Sequence, residues 1–131
     1  MTRKNSFSLA NQIIKEATRV GFQWKGLSGP LKKVREELRE MEQEIKSRRR
    51  SKTSISDELG DLLFSLCNLA SLLRIDPEKA LHSTLDRFEA RFHIVKSELK
   101  KKGKTPEEST LKEMDALWEK AKIKLKKKNR S

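Results

Sequence analysis

Apolar residues recur at three- and four-residue spacing in five stretches of the chain, and no convincing strand can be read between them. This pattern predicts an all-α fold, a helical bundle of about five helices. Leu9, Ile13, Ala17 and Val20 mark the first helix, over about 8–20, with Gly21 placed to end it. An irregular connector, GFQWKGLSGP, follows and carries Phe22 and Trp24. Leu31, Val34, Leu38, Met41 and Ile45 form the stripe of a second helix over about 30–47, with Pro30 in its first turn. The third, over about 55–74, has apolar residues around nearly its whole circumference, from Leu59 to Leu73, and so predicts a helix buried on most sides. The fourth opens with Asp76 as N-cap and Pro77 in the first position, then carries Leu81, Leu85, Phe88, Phe92, Val95 and Leu99 to a cap at Gly103. The fifth starts at Thr110, with Glu113 completing a capping box, and shows an apolar face of Leu111, Met114, Trp118, Ala121 and Leu125. The final KLKKKNRS loses apolar content and reads as a frayed basic tail.

Polar residues placed against this pattern carry the chemistry. On the second helix Glu37, Glu40 and Glu44 run along one flank of the stripe, with Glu36 further round. On the third, a narrow strip of Glu58, Asp61, Ser65 and Asn68 interrupts the apolar surface. Glu37/Glu40 and Glu58/Asp61 are both spaced i, i+3, so each pair points to one side of its helix. An E-x-x-E pair alone is more often a solvated face than a site. The second pair is different, because unpaired carboxylates buried in an apolar helix are costly without a cation, a hydrogen bond or water. Two such pairs on consecutive helices predict a metal centre held by Glu37, Glu40, Glu58 and Asp61. An all-oxygen, multiply charged donor set favours Mg²⁺, with Mn²⁺ as a substitute, over Zn²⁺. A di-iron bundle would need Glu-x-x-His motifs, whereas His82 and His93 each follow a Glu by four residues. Gly60 is placed to permit close helix approach beside the acids.

Length and composition then set bounds. The 131 residues predict one domain, 1–131, whose last part (118–131) is the basic helix end and tail. Only 34% of residues are hydrophobic and 38% are charged, the balance of a chain that completes its core by association. A net charge of +12 suits a polyanionic partner. Lys and Arg concentrate at 48–52, 100–104 and 120–130, either as solvated loops or as a surface for triphosphate, nucleic acid or an acidic partner. The single cysteine, Cys67, lies in an apolar run, and no apolar stretch nears the roughly 20 residues of a membrane span. A reduced, cytoplasmic setting is the expectation.

EELRE, a spacer, then DELGDLLF and NLA resembles the E-E-x-x-E…E-x-x-D signature of the MazG-type nucleoside triphosphate pyrophosphohydrolases. GFQW, IDPEKAL, RFEARF and LKEMDALWEKAK resemble further blocks of that family in the same order, so the likeness covers about 21–122. The resemblance implies a four-helix-bundle core completed by dimerisation. It also implies Mg²⁺-dependent hydrolysis of (deoxy)nucleoside triphosphates to the monophosphate and pyrophosphate. It implies that Glu37, Glu40, Glu58 and Asp61 are metal ligands, and that Lys33, Arg87 and Arg91 serve the nucleotide. Glu36 matches the first acid of the motif and is the candidate for orienting or deprotonating the attacking water.

Several assignments stay open at this level. Trp118 matches an aromatic position associated with the nucleotide, but it also fits the core stripe of its own helix. Trp24 suits either packing or substrate, and Asn68 either a sugar or phosphate contact or a helix-to-helix hydrogen bond. Arg87 and Arg91 have no acid three or four residues away on their own helix, so any ion-pair partner comes from elsewhere. Rival readings are a narrower relative acting on phosphoribosyl-ATP or on dUTP/dCTP, and a non-catalytic basic helical protein for nucleic acid or another partner. A homo-oligomer, dimer or tetramer, is expected; base and sugar preference are not readable.

Overall fold

The computed structural model describes residues 5–130, with side chains as far as Lys128. It is helical throughout, with five α-helices: α1 (Ser6–Arg19), α2 (Ser28–Lys46), α3 (Lys52–Leu72), α4 (Pro77–Lys101) and α5 (Leu111–Arg130). A single 3₁₀ turn, Pro106–Glu108, precedes α5, and no strand occurs among the described residues.

Local chemistry fixes the helix ends. Asn5 accepts from Ser8 N–H at 2.8 Å to cap α1, while its amide donates to Glu78 Oε1 at 2.8 Å, tying α1 to the first turn of α4. At the other end of α1, Gly21 takes φ +92°, and Gly21 and Phe22 N–H close back onto the Thr18 and Ala17 carbonyls. Ser51 caps α3 through Ser54 N–H at 3.0 Å, so α3 starts three residues earlier than the apolar pattern suggests. Asp76 accepts from Glu78 N–H at 2.9 Å and begins α4 as expected. Thr110 accepts from Glu113 N–H at 3.1 Å, but the Glu113 carboxylate turns to Ser109, Lys102 and Lys104. Of the expected capping box only the threonine half is therefore made.

The 47–51 connector is a folded turn. Ser47 Oγ accepts from Arg49 N–H at 3.2 Å, and Arg50 donates to the Ile45 carbonyl at 3.2 Å, where α2 leaves carbonyls without intrahelical partners. The positive charge here also complements the C-terminal end of the helix dipole. The C-terminal KLKKKNR is helical through Arg130, so the expected frayed tail is absent that far; Ser131 lies outside the described residues.

The chain divides into two compact units, one ending at Ala80 and the other beginning at Leu81. In the first, α3 packs on α2 and on α1. Ile14, Pro30 and Cys67 are its buried apolar residues, along with two polar ones, Glu37 and Ser65. Here the stripe expected on α1 is overturned: Leu9, Ile13 and Val20 are exposed and Ile14 faces inward instead. Burial of α3 on most sides is overturned too, because Leu59, Leu63, Phe64, Leu66 and Leu73 each keep more than 40% of their surface. Two neighbouring helices can cover only two sides of a third. Nothing approaches Gly60 within 4 Å of where a Cβ would stand, so it serves no close helix contact among the described residues.

In the second unit Val95, Leu99 and Leu117 form the buried centre, with Phe92, Met114 and Trp118 packed against it. Leu117, left out of the apolar face expected from the sequence, is buried, whereas Leu111 is 72% exposed. No described helix is long and apolar enough to cross a membrane.

Candidate functional site

Glu37 on α2 is 5% exposed, and carboxylate oxygens of Glu37, Glu40 and Glu58 lie within 4.8 Å of one another. The i, i+3 spacing puts Glu37 and Glu40 on the same side of α2, and the packing of α3 brings Glu58 to them. Glu37 Oε2 and Glu58 Oε2 are buried, and neither has a hydrogen-bond partner among the described residues. Burial raises the Glu58 carboxyl above the ordinary carboxylate range, helped by the negative charges of Glu40, Asp61, Glu37 and Glu44. Glu44, noted on the α2 flank but given no role there, thus contributes to the field; its signal was the same one-turn step that links Glu37 to Glu40.

Of the four expected ligands the structure brings three together. Asp61 is exposed and stands outside the three-residue group, although its charge reaches Glu58. Glu36 is half-buried and also outside it. Lys33 Nζ lies 2.8 Å from Glu37 Oε1, which raises the ammonium above its usual range.

A cleft of about 790 Å³ opens beside the group and reaches it through Glu37. Its polar side carries Lys33, Glu37, Asp61, Ser65 and Asn68, and its apolar side Ile13, Ile14, Ala17, Phe22, Trp24 and Phe64. Ser65 Oγ donates to the Leu62 carbonyl at 2.7 Å. Trp24 has its six-membered ring over Gly29 in the first turn of α2, where a Cβ would fall 2.6 Å from Trp24 Cζ3. Sequence reasoning singled out Trp24 but not Gly29, because no local pattern shows that a ring five residues earlier will lie there. Cys67 is buried, and burial pushes its thiol up, which disfavours the thiolate and fits a core position.

Arg87, Arg91 and Trp118 belong to the second unit, and each has a partner inside it. Arg87 donates to Ser83 Oγ at 2.9 Å and to Thr84 Oγ1 at 3.0 Å. Arg91 stacks over the Trp118 ring at 5.7 Å, and Phe88 packs on the same ring at 5.0 Å.

The three carboxylates suit a hard divalent cation: their donors are all oxygen, and two of those oxygens are buried without partners. Without a cation the group opposes folding. Because the folded protein raises Glu58, its ionised form costs stability at neutral pH, and that cost is lost as pH falls through the raised pKa. Glu58→Gln is therefore expected to melt above the wild type in EDTA at pH 7, with the difference shrinking toward the carboxylate range. Thermal melts across pH 4–7 check this; a variant that melts lower at pH 7 contradicts it.

Comparison with known proteins agrees with this geometry. Residues 28–95 match the family described as the MazG nucleotide pyrophosphohydrolase domain, a span holding all three clustered carboxylates. The nucleoside triphosphate pyrophosphohydrolase/pyrophosphatase MazG of Thermotoga maritima is 39% identical over 117 residues, 89% of this chain and 44% of that protein. The nucleoside triphosphate pyrophosphohydrolase of Escherichia coli is 33% identical over 113 residues, 86% of this chain and 43% of that protein. The chain thus spans less than half the length of these curated relatives. With its family signature carried on α2 and α3 and its carboxylates gathered between them, the chain belongs to the MazG nucleotide pyrophosphohydrolase domain family.

Proposed function

We propose that this chain hydrolyses (deoxy)nucleoside triphosphates to the monophosphate and pyrophosphate with Mg²⁺, or Mn²⁺, held at the carboxylate group. The observation that carries the reading is the pair of buried, unpartnered oxygens, Glu37 Oε2 and Glu58 Oε2, inside a group of three like charges. The activity named for the Thermotoga and Escherichia relatives supports it.

Glu37, Glu40 and Glu58 hold the metal, with Asp61 at the cleft edge as the fourth acid. Bound Mg²⁺ supplies charge relief at the phosphates and lowers the pKa of a coordinated water. The water oxygen bonds to the α-phosphorus as the bond to the bridging oxygen of the departing pyrophosphate breaks, and the water's proton passes to the Glu36 carboxylate. Glu36, half-buried next to Glu37 but outside the three-carboxylate group, is assigned to orient that water. Lys33 serves an outer phosphate oxygen. The apolar side of the cleft takes the base, with Trp24 as its stacking surface and the half-buried Asn68 amide offering both a donor and an acceptor.

We also propose that the chain works as a homo-oligomer. Support comes from α3, whose Leu59, Leu63, Phe64 and Leu66 are more than 40% exposed on the helix that also carries Glu58. Sedimentation of the wild type is expected to show a dimer or larger species, and Leu63→Lys to shift it toward monomer. A wild-type monomer at micromolar concentration overturns this part.

Replacing Glu37, Glu40 or Glu58 by Ala should lower Mg²⁺-dependent pyrophosphate release by about a hundredfold or more, since several kcal/mol of charge stabilisation depend on the ion. A screen over common NTPs and dNTPs tests the reading. Turnover that survives these changes, or no turnover of any nucleotide, defeats it. Gly29→Ala should push the Trp24 ring off α2. In a Trp118→Phe background the emission of Trp24 is then expected to red-shift and to quench more readily with acrylamide. KM for the nucleotide should rise while metal binding stays unchanged; unaltered emission contradicts the assignment.

A further inference from the structure

The Lys33–Glu37 pair differs from other ion pairs on these helices. Glu16–Arg19 and Glu42–Lys46 are exposed at both ends, whereas here the carboxylate side chain is 7% exposed and the lysine 45%. The paired carboxylate also belongs to the three-carboxylate group, and its second oxygen has no hydrogen-bond partner among the described residues. Ionised, the three acids carry three negative charges. One ammonium offsets one of them and a divalent cation offsets two, so the ion is the stronger partner for the group.

We propose that Lys33 is an exchangeable counter-ion: it holds Glu37 while the group lacks metal, releases it to the incoming divalent ion, and then becomes available to the substrate's phosphates. This rests on the metal-centre reading above and adds a competition that the reading does not require. Removing water from Glu37 without any cation nearby is strongly unfavourable, so the metal-free protein needs a resident positive charge. Once a divalent ion binds Glu37, an ammonium on the same carboxylate is repelled at close range. The side chain can respond, because it is about half exposed and carries a point charge on a flexible four-carbon stem. An arginine here would grip the carboxylate through two parallel hydrogen bonds and yield it less readily. Lys33 also lies one turn nearer than Glu37 to the α2 N-terminus, the end of a helix that favours anions.

The test uses the purified full chain stripped with EDTA, with Mn²⁺ titrated in the absence of nucleotide and followed by electron paramagnetic resonance. Lys33→Met is expected to bind Mn²⁺ more tightly, by about tenfold, since it loses a competitor worth a charge-assisted hydrogen bond. The same variant should melt lower in EDTA and recover when Mn²⁺ is added. Its affinity for a non-hydrolysable nucleoside triphosphate with Mg²⁺ should fall, so that bare-metal and nucleotide binding move in opposite directions. Lys33→Gln, which is uncharged but still hydrogen-bonds, is expected to repeat the pattern. If the wild type binds Mn²⁺ and both variants bind it equally or less well, the exchange is wrong and the metal centre stands. If none of the three proteins binds Mn²⁺, the metal-centre reading falls and the exchange falls with it.

Discussion

Three carboxylates held within 4.8 Å of one another, two of them with a buried oxygen that nothing in the described chain satisfies, is the constraint on which the first unit depends. Such a group resists the packing that creates it. Folding α3 onto α2 brings Glu58 to Glu37 and Glu40, and the gain from that contact must exceed their mutual repulsion. The upward shift of Glu58 is the visible sign of that conflict, caused first by burial and then by the surrounding acids. A hard cation at this group, as proposed above, would resolve it. In the metal-free chain the Lys33 ammonium resolves part of it, through the one carboxylate that is most deeply buried.

The elements around this group hold it in place with ordinary local chemistry. Residues 47–51 are a short turn that returns the chain along α2, and Ser47, Arg50 and Ser51 satisfy the helix ends on either side. A basic run that looked like a possible binding surface is therefore partly a device for ending α2 and beginning α3. Ser65, on the same strip as Glu58, answers its own polarity by donating to Leu62 and leaves the carboxylates unassisted. On this strip Glu58 has a buried oxygen short of a partner while the hydroxyl is answered from its own helix, which points to an external ligand for the acid alone.

Much of this was legible in the sequence. The existence and order of all five helices follow from apolar periodicity, and Gly21, Asp76 and Thr110 mark ends that the structure confirms. Three of the four expected metal ligands meet because i, i+3 spacing is a property of a helix and needs no tertiary information. Which side of a helix faces inward was less legible. On α1 both Ile13 and Ile14 fit an apolar helix, and only the position of α3 selects Ile14. On α5 the packing against Val95 and Leu99 of α4 buries Leu117, while Leu111 stays exposed. The Trp24–Gly29 contact was invisible for another reason: it depends on the path of an irregular connector, which carries no periodicity. Arg87 had no acid three or four residues away, and its hydroxyl partners Ser83 and Thr84 could be counted only once their rotamers were known.

The exposed apolar surface of α3 and the strain at its acids belong together physically. Among the described residues the first unit buries three apolar ones, Ile14, Pro30 and Cys67, beside a group that costs stability. A small core of that kind has little surplus with which to offset like-charge repulsion. Two external sources remain, a cation at the carboxylates and a covering surface for Leu59, Leu63, Phe64 and Leu66. Each binds the folded state and not the unfolded one, so each shifts the folding equilibrium by mass action. If both contribute, they reinforce each other through α3: a covered helix fixes Glu58 where the metal needs it, and a bound metal removes the repulsion that loosens the helix. Metal affinity and association are then two readouts of a single equilibrium, the docking of α3 against α2.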